Sequence, residues 1–198
     1  MDIYEIAGEL LFFVVIVFLV LVLGSKLGTL ETPVKRAGRQ GEAIAREIIA
    51  RALDEKDVLL PNVIIDLAGR ETELDNVIVN NRGVFIIEVK NYTGELFGDE
   101  DDFEWTKQKE TRQGNIYQKT VKNPIKQVKR QIYILAEYLK EYGIDVWVEG
   151  YVILLENNSP VGSQHLLYSV SDIDKAIHAG TNNKLTEKDK ETIVEFLS

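Results

Sequence analysis

Two short runs near the middle of the chain read as strands, the second of them apolar except for an acid and a base two residues apart. They are Glu73-Leu74-Asp75-Asn76-Val77-Ile78-Val79 and Val84-Phe85-Ile86-Ile87-Glu88-Val89-Lys90. The linker Asn80-Asn81-Arg82-Gly83 carries turn-forming residues, so the pair predicts a β-hairpin. If Val79 pairs with Val84, Ile78 faces Phe85, Val77 faces Ile86 and Asp75 faces Glu88. Val58 to Leu67 predicts a strand ahead of this hairpin, bent or at an edge because Pro61 interrupts it. Earlier still, Glu42 to Ala52 is rich in helix formers, with Ile44, Ile48 and Ala52 on one face and Gly41 marking the start. Beyond the hairpin, Gly94 to Phe97 and Phe103 to Thr106 predict a second hairpin around the acidic turn 98–102, which lacks the spacing of a calcium loop and is expected to be simply solvated, and Ile116-Tyr117 continues the sheet. Asn123 caps a helix that opens on Pro124, shows an apolar stripe of Val128, Ile132, Leu135 and Leu139, and stops near Glu141 before Gly143. Val146 to Leu155 predicts a buried strand; Asp172 to His178 and Thr186 to Leu197 predict closing helices.

The N-terminus has a different pattern. Leu10 to Leu23 is an unbroken apolar run of 14 residues, extended forwards by Ile6-Ala7-Gly8 with Glu9 as the interruption. Eighteen helical residues from Ile6 would reach about 27 Å, close to the thickness of a bilayer core. The run lacks a polar face, unlike a surface helix, and its acidic leader argues against a cleaved signal. It predicts a transmembrane anchor in residues 1–27, with membrane contact through 6–27, a linker at 28–34 and one domain at 35–198. Asp2, Glu5 and Glu9 precede the run, whereas Lys26, Lys35, Arg36 and Arg39 follow it. Positive residues stay inside, so the expected protein is a single-pass cell-membrane protein with its N-terminus outside and its domain cytoplasmic.

Charge narrows the choice of partners. The net charge of −9 is unusual for a nucleic-acid binder, and the absence of cysteine excludes disulfides and thiolate metal sites. The charge is uneven, however. Lys107, Lys109, Arg112, Lys119, Lys122, Lys126, Lys129 and Arg130 fall in one stretch with Glu110 as its lone acid. Such a patch suits a phosphate backbone, although a solvated surface would look the same.

The candidate chemistry lies in the first hairpin. Glu88 and Lys90 share one face of their strand, and the predicted register sets Asp75 opposite Glu88. Opposed carboxylates need positive charge between them, which Lys90 and a divalent cation could supply. Mg2+ or Mn2+ held by carboxylates would activate a water and offset charge on a phosphoryl group, and Lys90 would orient that water or stabilise the developing anion. A salt bridge on a solvated sheet face would use the same residues.

Asp75, Glu88 and Lys90 resemble the D…(D/E)-x-K pattern of the PD-(D/E)xK nuclease superfamily, with Leu74 in place of the proline. The chain is more specifically similar to the nuclease-related domain (NERD) family. Four pieces in order carry the likeness: Gly38-Arg39-Gln40-Gly41-Glu42, the run from Glu73 to Val79, the run from Gly83 to Gly94, and Asn123-Pro124-Ile125-Lys126-Gln127. The resemblance implies an α/β, restriction-endonuclease-like mixed sheet flanked by helices and a metal-dependent nuclease activity on DNA ahead of RNA. It also implies Asp75, Glu88 and the Val89 carbonyl as metal ligands, with Glu42 and Gln127 near the site. The rival expectation is a non-catalytic module that holds nucleic acid or a protein at the membrane. His165 and His178 stand apart from any ligand pattern.

Overall fold

The computed structural model describes residues 33–179 and 185–198. The chain divides into residues 1–36 and 37–198, and the fold below is that of the second unit with the helix leading into it. The anchor expected at 6–27 lies outside the described residues; among those described, no helix is long and apolar enough to cross a membrane.

A mixed five-stranded sheet forms the centre. Its strands are β1 (Val58–Leu67), β2 (Arg70–Asn80), β3 (Gly83–Lys90), β7 (Val148–Leu154) and β8 (Leu166–Leu167), in that spatial order. The first three run antiparallel, whereas β3, β7 and β8 are parallel. Every residue of β3 except Lys90 is buried, as expected of a central strand covered on both faces. The predicted hairpin register holds at Val79↔Val84, Ile78↔Phe85 and Val77↔Ile86, and Asn80↔Gly83 adds a further pair. Strand β1 is an edge strand, as Pro61 suggested, and it kinks at Asn62, where φ is 53°.

Alternation along the strands divides the core in two. Val77, Val79, Val84, Ile86, Val152 and Leu154 face the helix α2 (Pro124–Glu141) through its Val128, Leu135 and Leu139. Ile78, Phe85, Ile87, Val89 and Ile153 pack on the other face against α1 (Pro33–Ala50) and α3 (Val170–His178). The last helix, α4 (Glu187–Leu197), opens with a capping box between Thr186 and Asp189. Helix α2 approaches β7 so closely that a Cβ on Gly150 would lie 2.7 Å from Val128 Cγ2 and 2.8 Å from Ile132 Cγ1.

Three details differ from the sequence-based expectation. Helix α1 already runs at Pro33, so Gly41 lies inside it and not at its start. Gly41 instead permits close packing, since a Cβ there would come within 3.1 Å of Leu155 and 3.2 Å of Asn91. Strands β4 (Glu95–Phe97), β5 (Glu104–Glu110) and β6 (Ile116–Lys122) do not extend the main sheet but form an antiparallel sheet of their own. The acidic turn between β4 and β5 is not merely solvated. The Asn123 amide donates to the carbonyls of Glu100 (2.9 Å) and Asp102 (2.8 Å), while Trp105 Nε1 donates to Asp99 O. Gly98, at φ 148°, lies flat against the Trp105 ring, where a Cβ would come within 2.3 Å.

Candidate functional site

The β2–β3 ladder stops at Val77↔Ile86, and the site begins where it stops. Side chains of β2 take over the role of the missing ladder bonds. Asn76 Nδ2 donates to Ile87 O at 3.3 Å, and Asp75 Oδ2 accepts from Val89 N at 2.9 Å. Asp75 therefore bonds to the strand one residue beyond the Glu88 position that strict register assigned to it. The Val89 N–H points toward β2, so the carbonyl of the same extended residue looks out on the same side.

Glu88 and Lys90 project onto the α2 face. The Glu88 side chain has no exposed surface, whereas the Lys90 side chain retains 21%. Lys90 Nζ pairs with Glu88 Oε1, and Gln131 Nε2 donates to Glu88 Oε2 at 2.7 Å. The same Gln131 amide reaches Glu73 O at 3.3 Å, and its Oε1 is buried without a partner. Burial pushes the Glu88 carboxyl up; Lys90 pulls it down, Asp75 adds to the rise, and the net direction is upward. For Lys90, burial works to lower the pKa, but the Glu88 carboxylate outweighs it and holds the ammonium charged. The Glu88 carboxylate therefore favours the ammonium form of Lys90 in this arrangement.

Asp75, Glu88 and Lys90 are brought together; the remaining expected residues are placed less directly. Glu42 lies on α1 and pairs at 3.5 Å with Arg46, one turn along its own helix. Gln127 lines a cleft of about 910 Å³ together with Glu73, Arg130, Gln131 and Phe103. The glutamine that grips Glu88 is Gln131, one helical turn beyond Gln127. At 100° per residue Gln131 lies about 70° from the centre of the Val128–Ile132–Leu135–Leu139 stripe and Gln127 about 110°, so helix period already places Gln131 nearer the buried face. Tyr92 is a second residue that sequence reasoning passed over. Its hydroxyl donates to Lys122 O at 3.3 Å, its ring lies 5.9 Å from Lys107 Nζ, and burial pushes its pKa up.

The eight basic residues separate into three groups. On α2, Lys126 pairs with Asp101 (3.3 Å) and Lys129 with Glu100 (2.7 Å), so the acidic turn neutralises both. Lys122 and Arg130 line the cleft. Lys107, Lys109, Arg112 and Lys119 lie on the β5–β6 hairpin and its turn, and among the described residues none of these four has an acidic partner.

His178 requires a correction, because it is not isolated. Its Nδ1 lies 2.7 Å from Asp174 and its Nε2 2.9 Å from Asp57, with Asp54 at 3.6 Å. Burial works against its charge, but bonds to Asp174 and Asp57 raise its pKa overall. Asp54, Asp57 and His178 could hold a metal by spacing. Two carboxylates on the two ring nitrogens favour a doubly protonated imidazolium, which leaves no lone pair for one.

Residues 37–155 match the nuclease-related domain family. The chain is also similar to an uncharacterized protein of Bacillus anthracis, at 25% identity over 186 residues, spanning 93% of this chain and 86% of that one. No solved structure matches it.

Proposed function

Because the chain belongs to the nuclease-related domain family, we propose that it is a metal-dependent nuclease that hydrolyses phosphodiester bonds, in DNA ahead of RNA. The fold is read as restriction-endonuclease-like, and residues 6–27 as a membrane anchor that leaves the domain cytoplasmic. The observation that carries the reading is the meeting of Asp75, Glu88 and Lys90 at the point where β2 leaves β3. A fully buried carboxylate beside a second one is an expensive arrangement unless positive charge is to be held there.

The residues fit a hard cation, Mg2+ or Mn2+. The donors are all oxygens: Asp75, Glu88, the Val89 carbonyl, and the unpartnered Oε1 of Gln131 at the margin. Such an ion supplies charge that acidifies a bound water and offsets the phosphoryl oxygens. The protein's own groups do the positioning. Val89 N–H fixes one Asp75 oxygen, Gln131 fixes one Glu88 oxygen, and Lys90 presents a charged Nζ to an attacking water or to the developing anion. Gln127 and Arg130 line the cleft beside them, and Glu42 is a supporting candidate on α1.

One observation favours the rival, a non-catalytic binding module: both Glu88 oxygens are already engaged by the protein. Lys90→Ala and Asp75→Asn, assayed with Mg2+ or Mn2+ on DNA and RNA, separate the two readings. The nuclease reading expects a loss of at least about 100-fold in cleavage, the scale of one lost charge-stabilising donor. Equal turnover by variants and parent would rule it out. Metal-independent binding by a parent that cleaves nothing would favour the module.

A further inference from the structure

The β5–β6 hairpin is built as an arm. Seven cross-strand pairs run from Glu104↔Lys122 to Glu110↔Ile116. A tight turn closes the arm, with Thr111 N bonded to Asn115 O at 2.9 Å. At its base Trp105 is fully buried and Val121 packs on the core. Towards the tip that support ends: Lys109, Glu110 and every residue from Arg112 to Thr120 are exposed. Six residues beyond Trp105 carry the arm about 20 Å from its root.

The two faces of the arm differ in charge. Trp105, Lys107 and Lys109 share a face, and the register adds Val121, Lys119 and Tyr117 to it. Its root is therefore apolar and buried, and its free part is basic. Lys107 and Lys119 stand directly opposite each other. Like charges so placed destabilise a hairpin, and no acid on this face relieves them. The other face carries Glu110 and a Gln118–Gln108 amide bond of 2.9 Å. Lys107 also touches the site, because its Nζ lies over the Tyr92 ring, whose phenol feels the charges of Lys90 and Glu88.

We propose that this arm is a grip for a double helix, so that the substrate class of the nuclease is duplex nucleic acid. This rests on the nuclease reading above and adds the form of the substrate to it. Three lysines on one face and Arg112 at the tip give a line of cations that leads away from the Asp75–Glu88–Lys90 cluster. A two-stranded ribbon is an element that the major groove of a DNA duplex admits. A single strand calls instead for successive aromatic platforms, and the basic face exposes Tyr117 as its one ring beyond Tyr92. The opposed lysines find their compensating charge on the phosphates.

The test measures binding by the full chain, without divalent ions, to a fluorescent 20-base-pair DNA duplex and to one of its strands. Lys109→Gln/Lys119→Gln removes two cations that have no acidic partner among the described residues, and Lys140→Gln/Lys188→Gln removes two elsewhere as a control for net charge. The parent is expected to bind the duplex at least about tenfold more tightly than the strand. The arm variant is expected to lose about tenfold or more, with the slope of log affinity against log salt falling by about 1.8, while the control stays near the parent. Melting temperatures within a degree or two of the parent check that the variants fold. Equal affinity for strand and duplex, or an arm variant indistinguishable from the control, overturns the proposal. Duplex binding that depends on the arm, without cleavage when Mg2+ is added, would sustain the arm and sink the nuclease reading. Cleavage indifferent to the arm variant would do the reverse.

Discussion

Replacing Asn123 by alanine tests the joint that positions α2 and the acidic turn. The side chain is 1% exposed and works in both directions. Its Oδ1 caps the helix by accepting from Ile125 N at 2.9 Å and Lys126 N at 3.4 Å, while its Nδ2 serves the carbonyls of Glu100 and Asp102. Losing an asparagine cap costs about 1 kcal/mol. Each of the two shorter amide bonds contributes about 1 kcal/mol more. The Asp99 carbonyl is left out of the sum, because Trp105 Nε1 still reaches it at 2.9 Å. The total is about 3 kcal/mol, which for a domain of this size lowers Tm by about 6–12 °C. Asn123→Ser separates the parts, since a serine still caps but is too short to reach the turn; it should show about two thirds of the alanine variant's destabilisation. Thermal unfolding followed by circular dichroism reads both. An Asn123→Ala variant melting within 1 °C of the parent would falsify the view that one side chain ties turn to helix.

Three further outcomes are expected. Mg2+ or Mn2+ at about 100 times its Kd should stabilise the parent by about 2.7 kcal/mol, and Asp75→Asn should abolish that gain in a thermal-shift series. His178 has a folded pKa above its unfolded value, so its contribution to stability is complete below about pH 6.5 and is lost as pH rises through the folded pKa. The melting difference between parent and His178→Gln should therefore be largest near pH 6 and shrink on the alkaline side; a difference that grows with pH would contradict the ion-pair assignment. Gly150→Ala should cost about 1–3 kcal/mol in chemical denaturation, because α2 must back away from a methyl placed 2.7 Å from Val128.

Much of this was legible in the residues, and the reasons are local. The hairpin could be read because two short apolar, β-branched-rich runs, Val77 to Val79 and Val84 to Ile87, flank the turn residues Asn80 to Gly83. The α2 boundaries were equally plain, with Asn123 and Pro124 at one end and Gly143 beyond the other. What escaped depended on long-range packing. Helix period favours Gln131 over Gln127 for the buried face of α2, but that its amide meets Glu88, 43 residues away, is a tertiary fact. The pairing of Glu100 and Asp101 with Lys129 and Lys126 joins residues 29 and 25 positions apart. His178 meets Asp57 across 121 residues, a distance over which periodicity is silent. The offset of Asp75 from Glu88 was hidden for a different reason: a strand pattern extends a ladder indefinitely, whereas the real strands part once their side chains become polar.

The tight Asn81-Arg82 turn has a consequence for the order of assembly. Asp75 and Val89 are 14 residues apart along the chain, whereas Gln131 lies 43 residues from Glu88. Hairpins close in microseconds, and contacts of greater sequence separation come later. The Asp75–Glu88–Lys90 cluster is therefore expected to gather in water while still hydrated, with the docking of α2 stripping that hydration away as a later act of folding.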